Sequence, residues 1–119
     1  MMFPKKQKRR PAKKSERAPS ILQDEKYCYL TYRLTGVKYC CGLECHHIYM
    51  GHRNRAVSDA NGFWVWLRPE YHRTTNTAVH GRDGKHLDHL LKQECQHAYE
   101  AAGHSREEFI QLIGKNYLP

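Results

Sequence analysis

No apolar run in this chain approaches the roughly 20 residues that cross a bilayer. Nothing resembling a secretory h-region follows the basic beginning. Without a span or an export signal, a reducing, cytoplasmic setting is expected. The five cysteines (Cys28, Cys40, Cys41, Cys45, Cys95) then stand as thiols or metal ligands rather than disulfides. No internal repeat is visible, so a length of 119 residues allows one domain at most, plus a tail. Acid is nearly missing from one end. Residues 1–19 hold eight cations against Glu16, which places +7 of the formal +8 there and leaves +1 on the other hundred residues. That stretch also carries three prolines and little apolar surface. It is expected to be a disordered basic tail, suited to a polyanion such as nucleic acid and equally consistent with a solubilising end.

What is present from residue 20 onward reads as strands first and helices later, an α+β class in one domain over 20–119. Tyr27 to Tyr32 is rich in aromatic and β-branched residues and reads as extended; Val37 to Cys41 reads as a second such segment, and Leu43 to Tyr49 as a third. Met50 to Gly62, with its glycines, Asn54, Ser58, Asp59 and Asn61, reads as a loop. Phe63-Trp64-Val65-Trp66-Leu67 is apolar at every position, the pattern of a centrally buried strand. Pro69 and Glu70 suit the first turn of a short helix. Thr74 to Gly84 reads as irregular. Lys85 to Ala102 carries Leu87, Leu90, Leu91, Cys95 and Ala98 at helical spacing, ended by Gly103. Ser105-Arg106-Glu107-Glu108 is a capping box opening a last helix whose apolar face is Phe109, Ile110, Leu112 and Ile113.

Nine histidines is a high count for this length, and two of them, His46 and His47, are adjacent at a strand end. Neighbours on an extended chain point to opposite sides, so one ring can face a metal and the other can take a proton on the substrate side. The helix after the next strand can bring His72 back to the same ion. Imidazoles suit zinc, nickel and copper, while open positions and a phosphate oxygen suit magnesium or manganese. Such a site supplies what phosphodiester hydrolysis needs: a base for water and a cation for the developing charge. Arg53, Arg55, Arg68 and Arg73 cluster about the histidines in sequence and can contact phosphates, as can Lys5, Lys6, Arg9 and Arg10 in the tail.

The run His46-His47-Ile48-Tyr49, an Arg/Asn-containing segment, Trp64-Val65-Trp66-Leu67-x-Pro69-Glu70-x-His72, and the later Val79-His80 resemble the HNH branch of the His-Me finger (ββα-metal) endonucleases, in particular its small phage and prophage members. The likeness extends through Leu91 to Gln96 and Ile113 to Leu118, and so over most of residues 20–119. It implies DNA as substrate, a single divalent ion (Mg, Mn, Ni or Zn), His47 as general base and His46 and His72 as ligands. It points to Asn61 as the residue that orients the base, with Asn54 a rival. Asn76 and His80 compete for the third ligand position, with His80 preferred. Many members carry paired Cys-x-x-Cys zinc knuckles. Here the partner of Cys28 is missing, and a second, structural zinc at the cysteines is the less favoured expectation. Two other readings stand beside the nuclease. One is a binding module braced by metal without turnover. The other is an enzyme acting on RNA or branched recombination intermediates with a host partner.

Other residues have plainer readings. Trp64 and Trp66, at alternate positions of a central strand, read as core before they read as base-stacking groups. His86, His89 and His97 fall away from the leucine stripe of the long helix and read as surface. His52 divides evenly between phosphate contact and solvation. Cys95 reads as a small buried apolar residue.

Overall fold

The computed structural model describes residues 17–119. Among them the order is α1 (Tyr29–Thr35), β1 (Glu44–His47), α2 (His52–Asn61), β2 (Trp64–Leu67), α3 (Pro69–His72), α4 (Lys85–Ala101) and α5 (Arg106–Ile113). The class is α+β, with β1 and β2 forming one antiparallel pair. The register sets Glu44 against Leu67, Cys45 against Trp66, His46 against Val65 and His47 against Trp64. Partners in an antiparallel pair share a face. One face therefore carries Glu44, His46, Val65 and Leu67, and the other carries Cys45, His47, Trp64 and Trp66.

The first face closes on the core. Val65 and Leu67 are fully buried beside Leu30, Phe63, Leu91, Cys95 and Phe109. Burial pushes the Cys95 thiol up to about 12, so it packs as a neutral group. α4 contributes Leu91, Cys95 and Tyr99 from its apolar stripe. α5 starts at the expected box: Ser105 Oγ accepts from the Glu108 amide, and the Glu108 carboxylate accepts from the Ser105 amide. Tyr49 joins the pieces. Its ring meets Phe63, Phe109 and Tyr117, and its hydroxyl donates to the Lys92 carbonyl at 2.7 Å.

Two expectations are corrected. Tyr29 to Thr35 is helical, not extended, and Val37 to Cys40 has no regular structure. The aromatic and β-branched composition favours a strand locally, but tertiary partners override it. Leu30 and Thr31 are buried, and Tyr29 and Arg33 on successive turns both bond Glu94 of α4. The presumed loop after Met50 is α2. Its signal is weak because Ser58 is its one fully buried residue and Val57 is the one larger apolar side chain it packs against the core.

β2 is largely buried, with Trp66 on its outer face partly exposed, but among the described residues the sheet has two strands, so β2 is an edge strand and not a central one. Its outer edge is completed by side chains and backbone from the start of the described chain rather than by a third strand. Ser20 Oγ donates to the Trp64 carbonyl at 2.6 Å, and the Trp66 amide donates to Gln23 Oε1 at 2.8 Å. Residues 17–19, grouped by sequence with the free tail, lie against the domain. The Ala18 amide donates to the Asp59 carbonyl, Trp64 Nε1 donates to the Ala18 carbonyl, and the Arg17 guanidinium stacks 4.5 Å from the Trp64 ring. Lys5, Lys6, Arg9 and Arg10, and the disorder expected around them, fall outside the described residues.

Gly62 is where this N-terminal strap presses hardest. Its φ is +75°, and a Cβ there would sit 2.0 Å from the Pro19 carbonyl oxygen. Gly114 has φ +94° but open space around it. Gly62→Ala is expected to lower stability by about 2 kcal/mol or more, and Gly114→Ala by no more than its backbone strain of about 1–2 kcal/mol. Urea unfolding midpoints of the two variants provide the comparison. Equal losses would show that the strap does not constrain Gly62.

Candidate functional site

Three imidazoles converge on the core-facing side of β1. His46 comes from the strand, His72 from the end of α3, and His80 from the turn-rich segment that follows. Their available nitrogens all lie within 4.8 Å of one another. The ring centroids are 5.2 Å apart for His46–His72, 5.0 Å for His46–His80 and 4.7 Å for His72–His80. Backbone pairing places the last of them. The Val79 amide donates to Tyr71 and the His80 amide donates to His72, which lays residues 79–80 along α3. The chain turns tightly to do this, and Gly81 leaves room for the Thr75 and Asn76 carbonyls, 2.3 and 2.5 Å from where a Cβ would be.

The three rings differ in exposure. His46 is 1% exposed, His72 half-buried and His80 open to solvent. Burial, reinforced by the neighbouring imidazoles, pushes His46 down to about 2, so it is neutral. Burial lowers His80 as well. His46 Nε2 is buried and has no hydrogen-bond partner. An orphaned nitrogen of this kind costs about 1–3 kcal/mol, and a cation among the three rings would relieve it. The residues therefore fit a metal ion.

Glu44 supports the cluster. Its carboxylate accepts from His72 Nδ1 at 2.7 Å and from both ends of the Arg73 guanidinium, the shorter bond being 2.6 Å. The Arg73 bonds and then the His72 bond hold the Glu44 carboxyl down at about 2. With Nδ1–H given to Glu44, the lone pair of His72 is on Nε2, the arrangement that orients a ligating histidine. Sequence reasoning missed Glu44. Its two-residue offset from His46 on one strand was the available signal.

His47 occupies the other face. Its Nε2 lies 2.8 Å from Asp59 Oδ1 on α2. A carboxylate can only accept, so Nε2 carries the hydrogen and Nδ1 the lone pair. The residue bonded to His47 is thus Asp59, not Asn61 or Asn54. Asn61 turns back to the Val57 carbonyl of its own helix, and Asn54 bonds the Ile113 carbonyl and Arg53. Asp59 was missed because its segment reads as a loop, which fixes no facing for its side chains.

A cavity of about 210 Å³ opens beside His47, lined also by Tyr49, Met50, Gly51, His52 and Arg55. Of the four arginines named from sequence, Arg55 is the one on this cavity. Arg53 bonds the Gln111 carbonyl, Arg68 stacks on Tyr39 and pairs with Glu70, and Arg73 pairs with Glu44. Asn76 is exposed, and its backbone carbonyl accepts from the Asp83 amide. No cysteine belongs to the one group of metal-binding character among the described residues. Cys28 and Cys95 are buried, and Cys40 and Cys41 exposed. No helix of the described residues is long and apolar enough to cross a membrane. Comparison with protein-family models, curated proteins and solved structures found no match.

Two outcomes follow. The chain should bind one zinc or nickel ion, and His46→Ala, His72→Ala and His80→Ala should each remove that binding in calorimetry. Glu44→Gln should weaken it roughly 10- to 100-fold. Unchanged affinity in His80→Ala would break the triad. Acid sensitivity gives the second. His46 falls from an ordinary 6.5 to about 2 and Glu44 from 4.5 to about 2. The unfolded chain therefore takes up protons that the folded chain refuses. Stability is full above pH 6.5 and falls through that window as pH drops. Between pH 6.5 and 4.5 the loss belongs to histidine. In chelator, His46→Phe should flatten the urea midpoint against pH over that interval, and an unaltered slope would refute the assignment.

Proposed function

We propose that the chain is a metal-dependent endonuclease of the HNH, His-Me finger type, cleaving DNA phosphodiester bonds. The observation that carries the reading is the buried, partnerless Nε2 of His46 inside an all-imidazole cluster, with His47 next to it on the opposite face. The order β1, β2, α3 supplies the two strands and helix such a centre uses, and the solvent-open side at His80 is where a substrate oxygen would approach.

His46, His72 and His80 would hold the ion, which when bound would offset negative charge on the phosphate and on the departing oxygen. An all-nitrogen donor set suits zinc or nickel better than magnesium, which takes oxygen ligands. His47 acts as the base. Asp59 holds its ring by Nε2–H and leaves Nδ1 to accept a proton from water. The phosphate is received around the end of β1, where His46 and His47 diverge, and Arg55 and His52 bind its oxygens. Glu44 keeps His72 in the ligating tautomer. The basic tail adds affinity through phosphates and contributes little sequence preference.

A metal-braced binding module without turnover is the competing reading, favoured by the nearly complete burial of His46. His47 separates the two, since binding does not need a base. His47→Ala is expected to retain the fold and DNA affinity and to lose metal-dependent nicking of supercoiled plasmid, by about 100-fold or more. Undiminished nicking by a nuclease-free preparation of that variant would remove the catalytic role. Deleting residues 1–16 should weaken DNA binding and flatten its salt dependence with little change in melting temperature. An unchanged salt slope would detach the tail from the substrate.

A further inference from the structure

The face of the sheet that carries His47 continues into a second cavity, of about 360 Å³, whose walls include Trp64, Trp66, Lys26 and Gln23. Register places it. Trp64 lies directly opposite His47, and Trp66 lies two residues further along β2 on the same face, about 6.6 Å on at strand spacing. The two rings meet edge to face at 5.4 Å. Trp64 is held by its Nε1 bond to the Ala18 carbonyl, while Trp66 keeps partial exposure. Cations cover the aromatic surfaces: Lys26 Nζ is 4.3 Å from the Trp66 ring, and Arg17 is 4.5 Å from Trp64 and 5.9 Å from Trp66.

The cavity at His47 and the one at the tryptophans differ in chemistry. The one at Arg55 and His52 has no acid in its lining and suits a phosphate. The one at the tryptophans has Asp24 and Glu25 in its lining; Glu25 is paired with Lys38, and Asp24 repels a phosphate but can accept from ring N–H and amino groups. Its aromatic walls suit a flat π system. Its volume lies at the small end of the roughly 300–1,000 Å³ range of small-ligand sites. Lys26 and Arg17 sit on long, flexible stems. A base entering the cavity would take their place on the rings and free both cations for the flanking phosphates.

We infer that the Trp64–Trp66 cavity receives an unpaired nucleobase beside the phosphate bound at Arg55 and His52, so that the preferred substrate is single-stranded or locally unpaired nucleic acid. The inference rests on the nuclease reading for what happens at His47. A base stacked in a duplex cannot reach such a cavity without leaving the stack, which selects for strands already open.

Both tryptophans of the chain line this cavity, so intrinsic fluorescence reports on it directly. The full-length chain bearing His47→Ala, which spares the probe from cutting, is titrated with oligothymidylate, with an abasic oligomer of the same length, and with a blunt duplex. Saturable quenching by oligothymidylate well beyond that of the other two is expected. By anisotropy of labelled oligothymidylate, Trp66→Ala should bind roughly tenfold more weakly, with Trp66→Phe near wild type. Equal quenching by the abasic oligomer, or Trp66→Phe and a folded Trp66→Ala both binding like wild type, overturns the base site. If Trp66→Ala does not fold, the comparison of thymidylate with abasic probe decides alone. Base-dependent quenching in a protein whose wild type cuts nothing keeps the cavity and refutes the nuclease. Cutting without base-dependent quenching does the reverse.

Discussion

A neutral imidazole at His46, sealed from water and short of a partner on Nε2, constrains the elements around it. The side chain cannot ionise where it is, and it cannot turn to solvent without carrying β1 off Val65 and Leu67. Its one relief lies towards His72 and His80. α3 and the segment after it are therefore held as much by this cluster as by packing, because α3 itself has four residues and no fully buried one. A helix of one turn has almost no stability of its own. It persists here because Pro69 starts it, Arg73 and His72 both bond Glu44, and residues 79–80 pair along its backbone.

Strand parity then divides the labour. Residues two apart share a face, so Glu44 and His46 go together into the core-side cluster, and Cys45 and His47 go to the other side. A one-residue slip in β1 would bury His47 in place of His46. What prevents the slip is the apolar content of β2: Val65 and Leu67 must remain buried, and pairing to them fixes His46 inward. The chemical assignment of the doublet is in this sense a consequence of hydrophobic burial on the neighbouring strand.

That link explains which parts were legible in the sequence. β2, α3, α4 and α5 were readable because each carries its own signal: a continuous apolar run, a proline start, a leucine stripe, a capping box. His46 and His72 were readable because strand parity and the one-turn helix place them. His80 stood against Asn76, since backbone pairing along α3 in a segment that reads as irregular is what brings it in. α1 was not, since its helicity comes from Glu94, 61 to 65 residues away, and local composition argues for the opposite. α2 was not, since its one buried side chain is a serine. Asp59 and Glu44 were lost for related reasons. A carboxylate's partner is set by tertiary placement, and neither hydrogen bond leaves a pattern along the chain.

The strap formed by residues 17–23 connects these observations. It completes the outer edge of β2 with Ser20 and Gln23, an edge that would otherwise expose unpaired backbone groups. It also reaches α2, where the Ala18 amide bonds the carbonyl of Asp59, the residue whose side chain holds His47. Edge protection and the anchoring of the His47 ring are thus mechanically joined through one residue. The described residues begin at that same point. A strap that only protected an edge could anchor anywhere along β2. Anchoring at Asp59 ties the edge-protecting strap to the carboxylate partner of His47.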